Sequence, residues 1–229
     1  FPIRAGLDGV AQPLTAAEVR ALLEEAFGVM SAARAQIRQP LDSRAQVTIS
    51  VVDSQGNVLG IVRSPDAPIF GIDVSLQKAR AAAFFSSASA AAQLAGSSDA
   101  DVAGYLPALR AFLGDNIALT GRTAFSARAI GNLSRPYFPD GEVGRPPGPL
   151  SRPVAEFNPF STGLQSALIE ADVRTHVGFI LGGAADTPAQ CGAVPQPSRL
   201  ANGIQIFPGS VPIYRGSQLV GAIGVSGDG

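Results

Sequence analysis

The C-terminal segment VPIYRGSQLVGAIGVSGDG restricts the possible folds of this chain more than any other feature. Two apolar runs, residues 211–214 and 219–225, are separated by the polar, glycine-containing residues 215–218. This pattern is typical of an antiparallel β-hairpin. An apolar strand such as 219–225 needs cover from other elements, so we expect it to be an interior strand packed against helices.

The N-terminal part predicts one of these helices. Thr15 and Glu18 form a capping-box pattern, in which each side chain can satisfy a free backbone amide of the other residue. Apolar residues then recur at helical spacing as far as about Ile37, before Gln39 and Pro40. We therefore predict an amphipathic helix over residues 15–37.

A second hairpin and a second helix follow. Residues 47–52 and 58–62 are β-branched runs on either side of the turn sequence DSQGN. Asp73 is in position to cap the helix VSLQKARAAAFFSSASAAA, whose alanines allow close approach of a backbone or a flat ligand. The helix and hairpin patterns predict a core made of Val19, Leu22, Phe27, Ile49, Val51, Leu59, Ile61, Ile213, Val220 and Ile223.

Residues 97–175 differ from the rest of the chain. Seven prolines lie between Pro136 and Pro159, a density that is incompatible with a central strand or a long helix. Aromatic residues in the same segment argue against a merely solvated linker. We predict an ordered but irregular insertion within a single domain of residues 1–229, with one short helix that runs from Pro107 to Phe112.

Composition excludes several classes of function. Seventeen basic and 18 acidic residues give a net charge of −1, which does not favour nucleic acid or an anionic membrane. No run of 18 apolar residues occurs, so no membrane insertion is predicted. The single cysteine, Cys191, cannot form an internal disulfide, and the single histidine, His176, lacks the clustering of metal sites.

Three segments resemble successive motifs of one known family. LTAAEVRALLEEAF, VTISVVDSQGNVLGIVRSPDAPIFGIDVSLQKARAAAFF and FPGSVPIYRGSQLVGAIGVSGDG are similar, in this order, to motifs of the GlcG/HbpS family of haem-binding and haem-degrading-type proteins. That family includes the C-terminal domain of PduO-type cobalamin adenosyltransferases. The resemblance covers residues 14–85 and 203–229, and the middle of the chain resembles a longer form of the family with a proline-rich insertion.

The resemblance implies an α+β fold with a five-stranded antiparallel sheet sandwiched by helices in profilin-like layers. It also implies assembly as a homo-oligomer or with other domains or chains of a larger extracytoplasmic protein, periplasmic or secreted. Members of the family continue after the terminal turn into a final helix. We therefore expect the chain to be part of a longer protein, with a helix that begins within a few residues of Gly229 and has Asp228 near its start.

The resemblance implies haem as the ligand. On this interpretation Lys78 and Arg80 of the second helix contact the haem propionates, and His176 or Tyr137 ligates the iron. The residues alone leave alternatives open, since Lys78 could be a solvated or ion-paired surface residue and His176 a polar residue at the edge of RTHVGFI.

Three classes of function remain after these arguments. The first is a non-catalytic binding domain for haem, a related tetrapyrrole or another small ligand. The second is an assembly module with no ligand of its own, and the third is an enzyme that acts on a small organic acid. Ser75 and Lys78 match the S-x-x-K pattern of penicillin-interacting enzymes, but those enzymes need a second lysine and this chain has none. No other catalytic signature is present, so a non-catalytic role is favoured.

Overall fold

A computed structural model describes residues 2–139, 141–158, 162–186, 200 and 202–228. Helices cover both faces of one antiparallel sheet, and further helices form a layer outside the second of them. In chain order the elements are α1 (Ala16–Ala32), β1 (Val47–Asp53), β2 (Val58–Arg63), α2 (Gly71–Phe85), α3 (Ala90–Ala95), α4 (Ala100–Leu113), α5 (Ala127–Leu133), a 3₁₀ turn (Val154–Glu156), α6 (Leu164–Ala167), α7 (Glu170–Ile180), β3 (Ser210–Arg215) and β4 (Gln218–Gly227).

The sheet has the strand order β2-β1-β4-β3, and all neighbouring strands are antiparallel. Both predicted hairpins are therefore confirmed, as is the interior position of β4. The predicted number of five strands is wrong, because the part of the chain that the structure describes forms four. The stretch 202–209 before β3 runs as a loop, in which Asn202 and Gln205 bond to α2 and only Gly209 O accepts from β4, at Val225 N.

Helix α1 begins as predicted and ends earlier than predicted. The capping box forms, since Glu18 N donates to Thr15 Oγ1 and Thr15 N donates to Glu18 Oε2. The helix ends at Ala32 instead of Ile37 because Ala33 is extended and pairs with Ala45, whose N–H donates to its carbonyl. This pairing outside the sheet competes with the last turn that the spacing predicts.

Helix α2 is buried on both sides. Eleven of its 15 residues are buried, with Ala79, Ala82 and Ala83 against the sheet and Phe84 and Phe85 against the outer helices. Small side chains allow the sheet to approach the helix axis closely, as the alanine-rich sequence predicts. The outer helices then cover the opposite side of α2.

The predicted cap of α2 is wrong. The helix begins at Gly71, so Asp73 lies in the first turn and Phe70 occupies the cap position without a side-chain hydrogen bond. The Asp73 carboxylate instead accepts hydrogen bonds from Asn202 Nδ2 at 2.9 Å and from Gln77 Nε2 at 3.2 Å. Asp73 therefore bonds to a residue that is distant in the chain and does not cap the helix.

Residues 97–175 are more regular than predicted. They contain α4, α5, α6 and the beginning of α7, and their apolar side chains form a second core with the outer side of α2. Pro107 lies inside α4 instead of at its start, because the N-terminal cap is Asp99, which accepts from Asp101 N at 2.8 Å. Burial of Leu106 and Leu109 beside Pro107 offsets the roughly 3 kcal/mol that an interior proline costs.

The proline-rich stretch packs on this second core where the structure describes it. Leu150 is buried, and the ring of Phe138 meets that of Phe112 edge-to-face at 4.8 Å between centroids. Pro159, Phe160 and Cys191 lie outside the described residues.

The ten predicted core residues all contact the sheet cores, and none is exposed. Five are buried (Val19, Ile49, Val51, Leu59 and Val220) and five are half-buried (Leu22, Phe27, Ile61, Ile213 and Ile223). Ile213 and Ile223 are half-buried because α1 packs on β1 and β2 and covers little of β4 and β3.

The helix that we predict to follow Gly229 stays a prediction. Asp228, expected near its start, is folded back onto the sheet. Its carboxylate accepts hydrogen bonds from Arg38 Nε and from Gln46 N, the latter at 2.8 Å.

Candidate functional site

An open groove lies between α1 and the edge strand β3, with a volume of about 480 Å³. We call it the α1–β3 groove. It exists because α1 packs on β1 and β2, and no helix of the described residues covers the β4–β3 half of that sheet face. The groove is lined by Leu14, Glu18, Ala21, Leu22, Glu25, Ile213, Tyr214, Arg215 and Val220.

The floor and walls of the groove are mainly apolar. Leu14 and Val220 are buried beneath it, and Leu22 and Ile213 are half-buried because they face its open space. Tyr214, which lies between Ile213 and Arg215 on β3 and is half-buried, also borders the groove. An apolar concave surface with few polar groups is typical of ligand sites.

A cluster of hydrogen bonds joins α1 to β3 at the groove. Arg215 Nη2 donates to Glu18 Oε1 at 2.8 Å, and Arg215 Nε donates to Gln12 O at 3.3 Å. The backbone N–H of Thr15 and the Arg215 guanidinium lower the pKa of Glu18 from 4.5 to about 2. The carboxylate is therefore charged at neutral pH, and it keeps Arg215 beside the groove.

Lys78 lies on the other face of the sheet, and the structure shows it buried, so a solvated surface position is wrong. Only 6% of the residue is exposed. Its Nζ donates to Val225 O at 3.0 Å and to Ser226 Oγ at 3.3 Å. Burial lowers the pKa of Lys78 from 10.5 to about 8, because the charged form loses hydration.

The S-x-x-K pattern does not bring its serine and lysine into contact. Ser75 Oγ lies 2.6 Å from Ser50 Oγ and donates to Ile72 O, whereas the lysine contacts Ser226. The pattern therefore occurs without the nucleophile geometry of penicillin-interacting enzymes.

Arg80 is also buried and connects two distant segments to α2. Its Nε donates to Gly56 O in the β1–β2 turn, and its Nη1 donates to Asn202 Oδ1, both at 2.9 Å. Asn202 in turn donates to Asp73. Arg80 thus has a structural role in fixing the turn and the loop before β3, whether or not it also contacts a ligand.

The two predicted iron ligands lie in the outer layer. His176 is exposed on α7, where its Nδ1 lies 3.0 Å from Asp186 Oδ1 and its ring lies 5.8 Å from that of Phe179. Tyr137 is half-buried in the proline-rich stretch, and its carbonyl accepts from Gly141 N. The contacts of His176 are with α7 and the residues after it, whereas those of Lys78 are with β4.

Sequence reasoning missed the groove residues Tyr214 and Arg215. Neither belongs to a motif, and Arg215 was interpreted as part of a polar turn. Only the register of β3 with β4, together with the position of α1, brings them beside Glu18. No local signal would have found them.

The described residues contain no group of three or more histidine, cysteine, aspartate or glutamate side chains arranged to hold a metal ion. In the same ranges, each helix is too short or too polar to span a bilayer.

Comparison with known proteins finds one family that is similar to part of the chain. The model of a family described as "Haem degrading protein HbpS-like" matches residues 22–127, which run from the middle of α1 to the start of α5. No curated protein and no solved structure gives a significant match. This match supports the resemblance of residues 22–127 to the HbpS-like family that the sequence motifs indicate.

Proposed function

We propose that this chain is a non-catalytic binding domain for haem or a related tetrapyrrole, and that the macrocycle lies in the α1–β3 groove. The family match makes haem the leading ligand class. The observation that carries the proposal is the groove itself, an apolar concave surface with a tyrosine and an arginine on one wall.

The residues of the groove fit a tetrapyrrole in size and chemistry. Its volume of about 480 Å³ falls within the roughly 300–1,000 Å³ of ligand pockets. A planar macrocycle is mostly apolar and suits the Leu14, Leu22 and Ile213 surface. Tyrosine is an established axial ligand of haem iron, so the Tyr214 phenol is our candidate iron ligand.

Arg215 supplies the positive charge that a propionate needs. Its guanidinium carries five N–H donors, and two of its nitrogens already bond to Glu18 and Gln12. The remaining donors are available for a charge-assisted bond to a propionate. Haem iron would supply redox and ligand-binding chemistry, while the side chains of the groove bind, orient and shield the macrocycle.

The residues predicted from the sequence define the competing site. Lys78 and Arg80 could contact a propionate only if the chain opened around them, because both are less than a tenth exposed. His176 and Tyr137 are accessible without such a change, since the first is exposed and the second half-buried. They remain the alternative iron ligands, and experiment can separate them from Tyr214.

The test is a hemin titration followed by absorbance, on the wild-type chain and on Tyr214→Phe, Tyr137→Phe and His176→Ala. We expect saturable binding, with weaker binding and loss of the phenolate–iron absorption only in Tyr214→Phe. The two tyrosine variants form a matched pair, because each removes one hydroxyl. An altered spectrum in Tyr137→Phe or His176→Ala, with Tyr214→Phe unchanged, would move the site to the outer layer.

A further inference from the structure

A second cluster of polar groups lies on the opposite face of the sheet from the groove, around Lys78. Lys78 Nζ donates to Val225 O and to Ser226 Oγ. The backbone of Gly209 passes close by, since a Cβ added there would lie 3.1 Å from Nζ. All these neighbours are electrically neutral.

Lys78 forms no ion pair with any described residue. Asp73 lies on the same helix, and Asp228 lies two positions after Ser226. Both carboxylates have other partners, because Asp228 accepts from Arg38 and Asp73 accepts from Asn202. With a pKa of about 8, the Lys78 amine is mostly protonated at neutral pH. Lys78 is therefore a buried cation without an ion-pair partner among the described residues. Burying an uncompensated charge is costly, which favours an anion as its partner.

Two hydroxyl groups on the same side of the sheet as Lys78 also lack partners. Thr48 Oγ1 and Ser210 Oγ are buried, and neither has a hydrogen-bond partner among the described residues. Thr48 pairs with Ser226 across β1 and β4, and Ser210 pairs with Gly224 across β3 and β4. Both hydroxyls therefore lie on the α2 side of the sheet, but on opposite sides of β4. Thr48 is the one level with Ser226, which contacts the lysine, and its hydroxyl can donate to an oxyanion there.

The start of α2 lies at the same place. A Cβ added to Gly71 would lie 2.9 Å from Ser226 O and 3.3 Å from Thr48 Oγ1. The N–H groups of Gly71 and Ile72 already donate to Pro68 O and Ile69 O, so the helix contributes its dipole to this place. The positive end of that dipole is next to the unpaired hydroxyl of Thr48.

We propose that Thr48, Lys78 and Ser226, near the start of α2, bind one small oxyanion, a carboxylate or a phosphate. The lysine supplies the charge, and the unpaired Thr48 hydroxyl supplies a donor that no described group accepts. The site does not depend on haem binding, because it lies across the sheet from the groove.

The test uses the fact that Lys78 is the only lysine in the chain. With lysine labelled at Cε with ¹³C, the side chain gives a single resonance that reports this amine. The labelled wild-type protein is titrated with sodium acetate and, separately, with sodium phosphate, at constant ionic strength maintained with sodium chloride. We expect a saturable shift of the resonance and a higher pKa of Lys78 with at least one of the two anions, and the anion that saturates identifies the source.

Two variants test the hydroxyl contribution. Thr48→Val keeps the shape of the side chain and removes its donor, so we expect about tenfold weaker anion binding, as for loss of a hydrogen bond to a charged group. Ser50→Ala is the matched control, because the Ser50 hydroxyl already pairs with Ser75. A resonance that does not saturate with either anion in the wild-type protein would overturn the proposal, as would wild-type affinity in Thr48→Val.

Discussion

Arg215 of the edge strand β3 donates from Nη2 to Oε1 of Glu18, in the first turn of α1, across 2.8 Å. This ion pair joins residues that are 197 positions apart in the chain. It connects the two walls of the α1–β3 groove, and it keeps an arginine where a ligand carboxylate would arrive. The same contact connects the capping box of α1 to the far edge of the sheet.

Replacing Glu18 should make the free energy of unfolding depend less on pH in the acidic range. The pKa of Glu18 is about 2 in the folded protein and 4.5 ordinarily, so the charged carboxylate stabilises the fold above pH 4.5. This contribution is lost as the pH falls from 4.5 to about 2. We expect Glu18→Gln to lose less stability than the wild-type protein over this range, measured by urea unfolding at several pH values.

The control for this experiment is Glu24→Gln, at an exposed position of the same helix whose carboxylate pairs only loosely with Arg20, at 3.6 Å. It should retain the wild-type pH dependence. Equal pH dependence in the wild-type protein and in Glu18→Gln would contradict the strong Thr15 and Arg215 contacts.

Lys78 should affect stability in the alkaline range. Its pKa is about 8 when folded and 10.5 ordinarily, so the unfolded chain binds more protons between these values. Stability should therefore rise with pH from 8 to 10.5, by up to about 3 kcal/mol at 1.36 kcal/mol per pKa unit. In Lys78→Met this rise should disappear, and urea unfolding at pH 7 and pH 10 measures it. A stability difference between the two proteins that is the same at both pH values would contradict this prediction.

Two glycine-to-alanine substitutions should have opposite effects, because one glycine lies where α2 packs closely on β4 and the other lies on an open face of α1. A Cβ at Gly224 would overlap the carbonyl oxygen of Ser75 and lie 2.8 Å from Ala79 N, so Gly224→Ala should destabilise the protein by about 3 kcal/mol. Gly28 lies in α1 with nothing within 4 Å of an added Cβ. Gly28→Ala should therefore stabilise the protein by about 0.5–1 kcal/mol. Thermal unfolding compares the two, and a mild effect of Gly224→Ala would contradict the close contact.

Features determined by neighbouring residues could be predicted from the sequence. The capping box of Thr15 and Glu18 and the two hairpins depend on short-range spacing and turn chemistry, and all three form as expected. Features determined by distant contacts could not be predicted. Helix α1 ends early because Ala33 pairs with Ala45, and the Asp73 carboxylate bonds to Asn202, 129 residues away.

The candidate site also has features that the sequence predicts and features that depend on distant contacts. Lys78 was singled out from its residue type and its place on the second helix, but its burial depends on Val225 and Ser226, more than 140 residues later. The groove could not be predicted either, because it results from the half of the sheet that α1 leaves uncovered. Tyr214 and Arg215 gain their candidate roles only from that tertiary arrangement.

The central claim is that the α1–β3 groove binds haem, and a hemin titration of one matched pair of variants tests it most directly. Ala21 is exposed and lines the groove, so an indole in Ala21→Trp would occupy the space of the macrocycle. Ala17 is exposed on the same helix and does not line the groove, so Ala17→Trp is the control. We predict saturable hemin binding by the wild-type chain and Ala17→Trp, and its loss in folded Ala21→Trp. No saturable binding by the wild-type chain, or undiminished binding by Ala21→Trp, would contradict the claim.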